Sequence, residues 1–183
     1  MAAATSFWIR WRVRVGYPVA LVYLALARPT TRSLMIGGAV GVVGLAIRAC
    51  AAGHLRKHQT LAVGGPYAFT RNPLYFGSVI LAAGFVVAGA SVWAAIVIAG
   101  YLALFYPAVI RREEAELQEH YGEDFKRYAS AVPLFWPAFR RFGPSNGAEK
   151  FSAQLYRRNR EYQAAVGFLV GIALLWARMR WLP

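Results

Sequence analysis

The apolar runs of this chain constrain its fold more than any other feature. They lie at about Val13 to Ala27, Leu34 to Ala52, Pro73 to Ala90, Val92 to Ile110 and Ala164 to Trp181. A helix that crosses a bilayer needs about 20 mainly apolar residues, with roughly 17 to 25 tolerated. Hydrophobic residues make up 58% of the 183 positions, more than a soluble domain of this length needs, and the 16% that are charged cluster between the runs. The expected fold is all-α, a multi-pass integral membrane protein with about five transmembrane helices.

Each run carries its own local signals. The first is short unless Phe7, Trp8 and Trp11 extend it through the interface, where aromatics are favoured, and Pro18 is placed to kink it. Arg10, Arg12 and Arg14 precede it, but no small-residue cleavage site with a polar continuation follows, so it reads as a retained segment. In the second run Gly37, Gly41 and Gly44 are spaced to let helices approach closely in lipid. No Gly-x-Gly-x-x-Gly follows a strand there, which excludes a nucleotide loop. Gly89-Ala90-Ser91 joins the third and fourth runs as a tight antiparallel hairpin, with Pro107 bending the last turn of the fourth. Arg178 and Arg180 interrupt the end of the fifth and are expected to snorkel to the headgroups. The single cysteine, Cys50, lies inside an apolar run as a small core residue, and no intrachain disulfide can form.

The formal charge of +13 does not indicate nucleic acid, because the basic residues flank apolar runs and form no continuous soluble face. It sets an orientation instead. With the N-terminus inside, the cytoplasmic segments hold Arg10, Arg12, Arg14, Arg48, Arg56, Lys57, Arg71 and the cluster from Arg111 to Arg160. Arg28, Arg32, Arg178 and Arg180 remain outside, and all 8 acidic residues fall inside. The positive-inside rule then predicts a cytoplasmic N-terminus and an outward C-terminus.

Two polar segments share that cytoplasmic side, about 53–72 and 111–163, flanking the hairpin. In the first, Gly64-Gly65-Pro66 and Asn72-Pro73 bend the chain, and Tyr67, Arg71, Asn72 and Tyr75 crowd between and after the bends. Irregular backbone beside a bilayer is tolerated where it is packed in protein or lines a cavity, so this segment is expected to line one. In the second, Ile110, Leu117, Tyr121, Phe125 and Tyr128 recur at helical spacing. Glu113 and Glu114 share that face, while Glu116 and Glu119 point elsewhere. Carboxylates on a largely apolar face are costly unless paired, although a solvated helix with intrahelical Arg–Glu pairs fits the same spacing. Further on, Val132 to Pro137 reads as a proline-broken interfacial loop and one wall of a lipophilic cavity. Gly143 to Gly147 reads as a connector, and Phe151 to Gln163 as a basic helix that meets anionic membrane lipids.

Taken in order, Gly65-Pro66-Tyr67, Thr70-Arg71-Asn72-Pro73-Leu74-Tyr75-x-Gly77, a hairpin, Glu113-Glu114-x-x-Leu117, Tyr121-Gly122-x-x-Phe125-x-x-Tyr128 and Val132-Pro133 form a recognisable set. The set resembles the isoprenylcysteine carboxyl methyltransferase family and the related membrane phospholipid methyltransferases. The resemblance covers about His54 to Pro137, within a single domain over 1–183. The remainder, 151–183, is a basic helix and the fifth candidate span. The resemblance implies a membrane enzyme that uses S-adenosyl-L-methionine on the cytoplasmic side and takes a lipophilic substrate from the bilayer. The prenylcysteine carboxyl group is the namesake acceptor. It also implies a cofactor pocket formed by Tyr67, Arg71, Asn72, Pro73, Tyr75, Glu113 and Glu114, with His54 or His58 contributing from upstream.

On that basis Arg71 is expected to bind the cofactor carboxylate, and Tyr67 and Tyr75 to offer ring or hydroxyl contacts to it. Glu113 and Glu114 are expected to grip its amino or ribose groups, or one of them to act as base. Arg111 or Arg112 is expected to hold a substrate carboxylate. Family members commonly carry histidine where this chain has Asn72. Asparagine can orient a partner but cannot titrate near neutrality. If the histidine orients, Asn72 replaces it; if it transfers protons, the chemistry here differs. The three histidines lack metal-ligand spacing. The glycine-bearing helix faces, including Gly167 and Gly171, offer surfaces for homo-oligomer contact. Three alternatives stay open: an amine-headgroup methyltransferase, an NADPH-dependent reductase of the sterol-reductase type, and a non-catalytic membrane protein.

Overall fold

A polypeptide in lipid must satisfy its own backbone hydrogen bonds, and the helix does so within one segment. The computed structural model describes residues 2–56, 59–142 and 150–181, with no side-chain description for 2–10, 12 and 13. His58, Lys57 and the Gly143–Gly147 connector therefore lie outside the described residues, as do the side chains of Phe7 and Trp8 and of Arg10 and Arg12. The described residues form α1 (Ala2–Leu26), α2 (Thr31–His54), a 3₁₀ turn (Gly65–Ala68), α3 (Pro73–Gly89), α4 (Val92–Ala131), α5 (Ala153–Arg158) and α6 (Tyr162–Trp181), with no strand among them.

The expected apolar helices are present. By length and composition three can cross a membrane: Thr31–His54, Val92–Ala131 and Tyr162–Trp181. The apolar helices Arg14–Leu26 and Pro73–Gly89 are shorter. Local chemistry sets the boundaries. Thr30 and Ser33 make a reciprocal capping box at the start of α2. Pro73 opens α3 at a position where its missing N–H is no loss. Ala90 turns left-handed between α3 and α4, and Ser91 caps α4.

The α2–α3 seam is backbone on backbone. A Cβ at Gly44 would lie 2.5 Å from the Leu81 nitrogen, and one at Gly84 would lie 2.6 Å from the Gly41 nitrogen and 2.7 Å from the Gly37 carbonyl oxygen. The second-helix glycines are thus used within the chain, as close small-residue packing in lipid requires. Gly171 also faces inward, against Phe85, whereas Gly167 faces open space.

Three features differ from expectation, and the simplest is Cys50, which is exposed on α2 and not a core residue. α4 does not end near Ile110: it passes Pro107 and runs 40 residues to Ala131, with a break at Gly122 (φ 51°, ψ −119°). Proline inside a membrane helix is tolerated because neighbouring groups re-satisfy the backbone, and at the Gly122 break Gln118 Nε2 donates to the freed carbonyl oxygen at 3.1 Å. At 1.5 Å per residue the part before the break, 92–121, runs about 45 Å, long enough to cross a bilayer and project beyond it. Arg178 does not simply snorkel: it donates to the carbonyls of Ala27 and Ala25 at 2.7 and 2.9 Å, capping the end of α1.

The projecting part of α4 carries a second apolar cluster of Phe125, Tyr128 and Val132, packed by Leu61, Leu117, Tyr121 and Phe142. This cluster folds the two polar segments onto one another. Arg71 N donates to Pro133 O at 3.0 Å, Ala138 N to Phe69 O at 2.8 Å, and Phe142 N to Ala68 O at 2.9 Å. Thr70 Oγ1 adds a bond to Phe135 O at 2.9 Å. The 132–142 segment therefore braces the backbone of 67–72 instead of forming a cavity wall, which corrects the reading of Val132–Pro137 as lining.

Candidate active site

Where α3 begins, α4 leaves the apolar core and α2 ends, a cavity of about 980 Å³ opens. Small-molecule sites commonly have this size. One wall comes from Tyr67, Arg71, Asn72, Pro73 and Tyr75, and a second from Glu113, Glu116, Leu117, His120 and Tyr121 on α4. A third comes from Arg48 of α2, from Asn159, Arg160 and Glu161 between α5 and α6, and from the first turn of α6.

The first two walls are joined by charge. Arg71 Nη1 pairs with Glu114 Oε2 at 2.9 Å, and the Tyr75 hydroxyl donates to Glu113 Oε1 at 2.6 Å. Consecutive carboxylates on one helix thus meet two residues set four apart in the Thr70–Tyr75 segment. Asn72 Nδ2 donates to Leu134 O at 3.0 Å, and the Asn72 backbone N–H donates to Thr70 Oγ1 at 3.3 Å. Tyr75 is further fixed by an edge-on contact with Tyr106, 5.3 Å between ring centres.

Burial raises the Glu114 pKa above its ordinary value, against the opposing pull of Arg71 and of the nearby Asn72 amide. Burial also pushes the Tyr67 and Tyr128 phenols well up, so both stay protonated donors. Tyr128 uses its proton on the Tyr67 carbonyl at 2.7 Å, fixing the 3₁₀ turn. Arg71 Nε is buried with no hydrogen-bond partner among the described residues. An orphaned donor on a buried guanidinium costs free energy unless a ligand meets it.

Three expected site residues lie outside the cavity lining. Glu114 sits behind Arg71, joined to it by the ion pair, and Glu116, expected to point elsewhere, lines the wall instead. Arg112 pairs with Glu116 one helical turn away at 2.6 Å, largely exposed, and is outside the cavity lining. His54 is buried under the turn, with Nδ1 2.7 Å from Cys50 O and its ring edge-on to Phe151. A Cβ at Gly65, where φ is 56°, would collide with that ring. His54 therefore seats the turn that carries Tyr67 and does not line the cavity itself. Arg48, Ser78 and Glu161, which no local motif marks, do line it. Among the described residues no three His, Cys, Asp or Glu side chains gather as a metal site would need.

Fold and site together define an all-helical membrane protein with an ion-paired polar cavity at one end of its helices. Residues 40–124, which carry the Arg71–Glu114 and Tyr75–Glu113 pairs, match the family model of phospholipid methyltransferases, the membrane methyltransferases related to the isoprenylcysteine carboxyl enzymes. The chain is 33% identical over 141 residues to the nickel-cobalt-cadmium resistance protein NccN of Alcaligenes xylosoxydans, covering 72% of this chain and 65% of that one. It is 34% identical over 137 residues to the cobalt-zinc-cadmium resistance protein CzcN of Cupriavidus metallidurans, covering 69% and 62%. The chain thus spans less than two thirds of these relatives' length. No solved structure matches it.

Proposed function

We propose that this chain is an S-adenosyl-L-methionine-dependent methyltransferase acting on a lipophilic or amphiphilic acceptor, with its cavity on the cytoplasmic side. The observation that carries this reading is Arg71: a buried guanidinium on the cavity wall, half-satisfied by Glu114 and left with an orphaned Nε. A carboxylate from the cofactor's amino-acid end fits the part of that guanidinium open to the cavity in charge and hydrogen bonding. Glu113 and Glu114 suit its ammonium and ribose hydroxyls, and tyrosines line the cavity, where a ring met face-on would favour a sulfonium.

The bound cofactor supplies an electrophilic methyl group on sulfur. The chain's own residues place it. Arg71 and the paired carboxylates fix one end, and the braced 67–72 backbone sets the wall. Positioning of this kind is the protein's main contribution to a methyl transfer. Asn72 sits where the family's histidine is common, and its side-chain bond to Leu134 O favours an orienting role over proton transfer. The cytoplasmic placement rests on the positive-inside distribution of the cationic segments. The relatives' names bring metal resistance to this chain as a physiological setting, and methylation of a membrane component is the chemistry we propose within it.

Calorimetric titration of the detergent-purified chain with S-adenosylmethionine, S-adenosylhomocysteine and NADPH tests the proposal. Both adenosyl ligands are expected to bind and to lose at least about 100-fold in affinity in Arg71→Ala, the scale of a lost buried charge pair. Binding of NADPH alone would install the reductase reading, and binding of none of them would leave a non-catalytic protein.

A further inference from the structure

The third cavity wall contains a partly buried ion pair that the proposed cofactor site does not use. Arg48 of α2 places Nε 2.5 Å from Glu161 Oε1, and its Nη1 donates to the Ser78 hydroxyl and, at 3.4 Å, to Leu74 O. Glu161 is 9% exposed. The fold spends conformational freedom to bring these groups together. Gly77 admits the Arg48 stem, since a Cβ there would lie 2.7 Å from Arg48 Cγ. Arg160, at φ 54°, makes the left-handed turn that delivers Glu161, an unfavourable conformation for a non-glycine residue. Asn159 holds that turn to the end of α2 by donating to Ala52 O and Leu55 O, each at 2.9 Å. Glu161 also stands at the head of an apolar groove of about 250 Å³ between α2 and α6, lined by Val42, Leu45, Ala46, Ala49 and Ala165.

We propose that Arg48 and Glu161 form the acceptor-head subsite, reading a zwitterionic amphiphile whose acid group meets Arg48 and whose ammonium meets Glu161, with its apolar tail along the groove. This rests on the methyltransferase reading for the word acceptor, but the subsite itself is a binding claim. A buried ion pair is weak support for stability, whereas removing one partner leaves an uncompensated charge. The same physics selects the ligand. A lone anion drawn to Arg48 would strand Glu161, and a lone cation would strand Arg48. A head carrying both charges compensates both in one exchange. Glu161 lies beyond residues 40–124, so this subsite is completed by the C-terminal part of the chain.

Two ligand sources share this chemistry, and calorimetry on the full chain in detergent separates them. S-farnesylcysteine is compared with its N-acetyl derivative, and dihexanoylphosphatidylethanolamine with dihexanoylphosphatidylglycerol. Each pair keeps the acid and the tail but removes the ammonium. The free-amine member of one pair is expected to bind on the order of 10-fold more tightly, the scale of a hydrogen bond between charged groups. The pair that shows the preference identifies the source. Glu161→Gln is expected to erase the preference while S-adenosylhomocysteine affinity stays within about 2-fold, a separation that a merely structural pair would not give. Equal affinities within both pairs in the unaltered chain, or a preference that survives in E161Q, would overturn the proposal. The doubly neutral variant R48Q/E161Q strands neither charge and is expected to remain folded without the preference, which keeps the test informative if E161Q is unstable. Zwitterion preference without adenosyl-ligand binding would remove the methyltransferase reading and leave this subsite standing. The reverse result would remove only the subsite.

Discussion

The α2–α3 seam and the polar cap over the cavity are built from opposite materials. In the seam, glycines let two backbones touch, and there are few side chains to tune. In the cap, irregular backbone is held by side-chain and cross-segment bonds: Tyr128 to Tyr67, Thr70 to Phe135, Asn72 to Leu134 and Arg71 to Glu114. Lipid explains the difference. Between apolar helices there is little hydrophobic driving force, so close packing stabilises the seam. Near water the cap can keep charged groups paired around a cavity. The seam tolerates almost no added volume, while the cap tolerates change in proportion to each group's burial.

Breaking the seam should have the largest effect. Gly84→Leu places side-chain atoms where the Gly37 and Gly41 backbones lie. It is expected to cost at least about 3 kcal/mol, visible as loss of the monodisperse detergent-solubilised protein and of its thermal transition. A well-folded G84L variant would show that the helices have slack.

In the cap, Glu114→Gln should separate function from folding. Donor affinity and methyl transfer are expected to fall by about 100-fold, on the scale of a misplaced catalytic array, with a retained thermal transition. The pH response sharpens this. Because burial raises the Glu114 pKa in the folded chain, the stability it contributes is present below the ordinary glutamate range and is lost as pH rises through the raised value. If the ionised form grips the donor, donor affinity rises with pH across that same window. Both dependences should disappear in E114Q, as read by calorimetry and thermal unfolding over a pH series.

The smallest effect should come from Arg112→Ala. Its partner Glu116 is a turn away and both side chains are open to solvent. Exposed pairs contribute about 0 to 1 kcal/mol, so activity is expected within about 2-fold of the unaltered chain. A large loss in R112A would return this residue to the substrate site.

What could be read from the sequence follows the same division. The Thr70–Gly77 segment and the Glu113–Glu114 pair announce themselves because turn residues and helical spacing are local signals, and both lie on cavity walls or pair with them. The α3–α4 hairpin was legible for the same reason. The third wall was not. Arg48 and Glu161 are 113 positions apart and neither belongs to a periodic pattern. Only the packing of α2 against the α5–α6 turn brings them together. Arg178 likewise looked like a headgroup anchor, since a cap reaching a helix 151 positions away leaves no trace in spacing. His54 misled for the converse reason: a histidine near a motif reads as a ligand, and nothing in the sequence shows that Gly65 needs its ring as a seat.

Hydrogen–deuterium exchange of the detergent-purified chain, with and without saturating S-adenosylhomocysteine, tests the central claim most directly. Residues 65–76 and 113–121 should gain protection together, because the ligand would bridge the walls that Arg71–Glu114 and Tyr75–Glu113 already connect. The seam from 37 to 44 should be unchanged. Protection confined to the seam or to α1, or binding with no protection in either wall, would contradict the placement of the donor in this cavity.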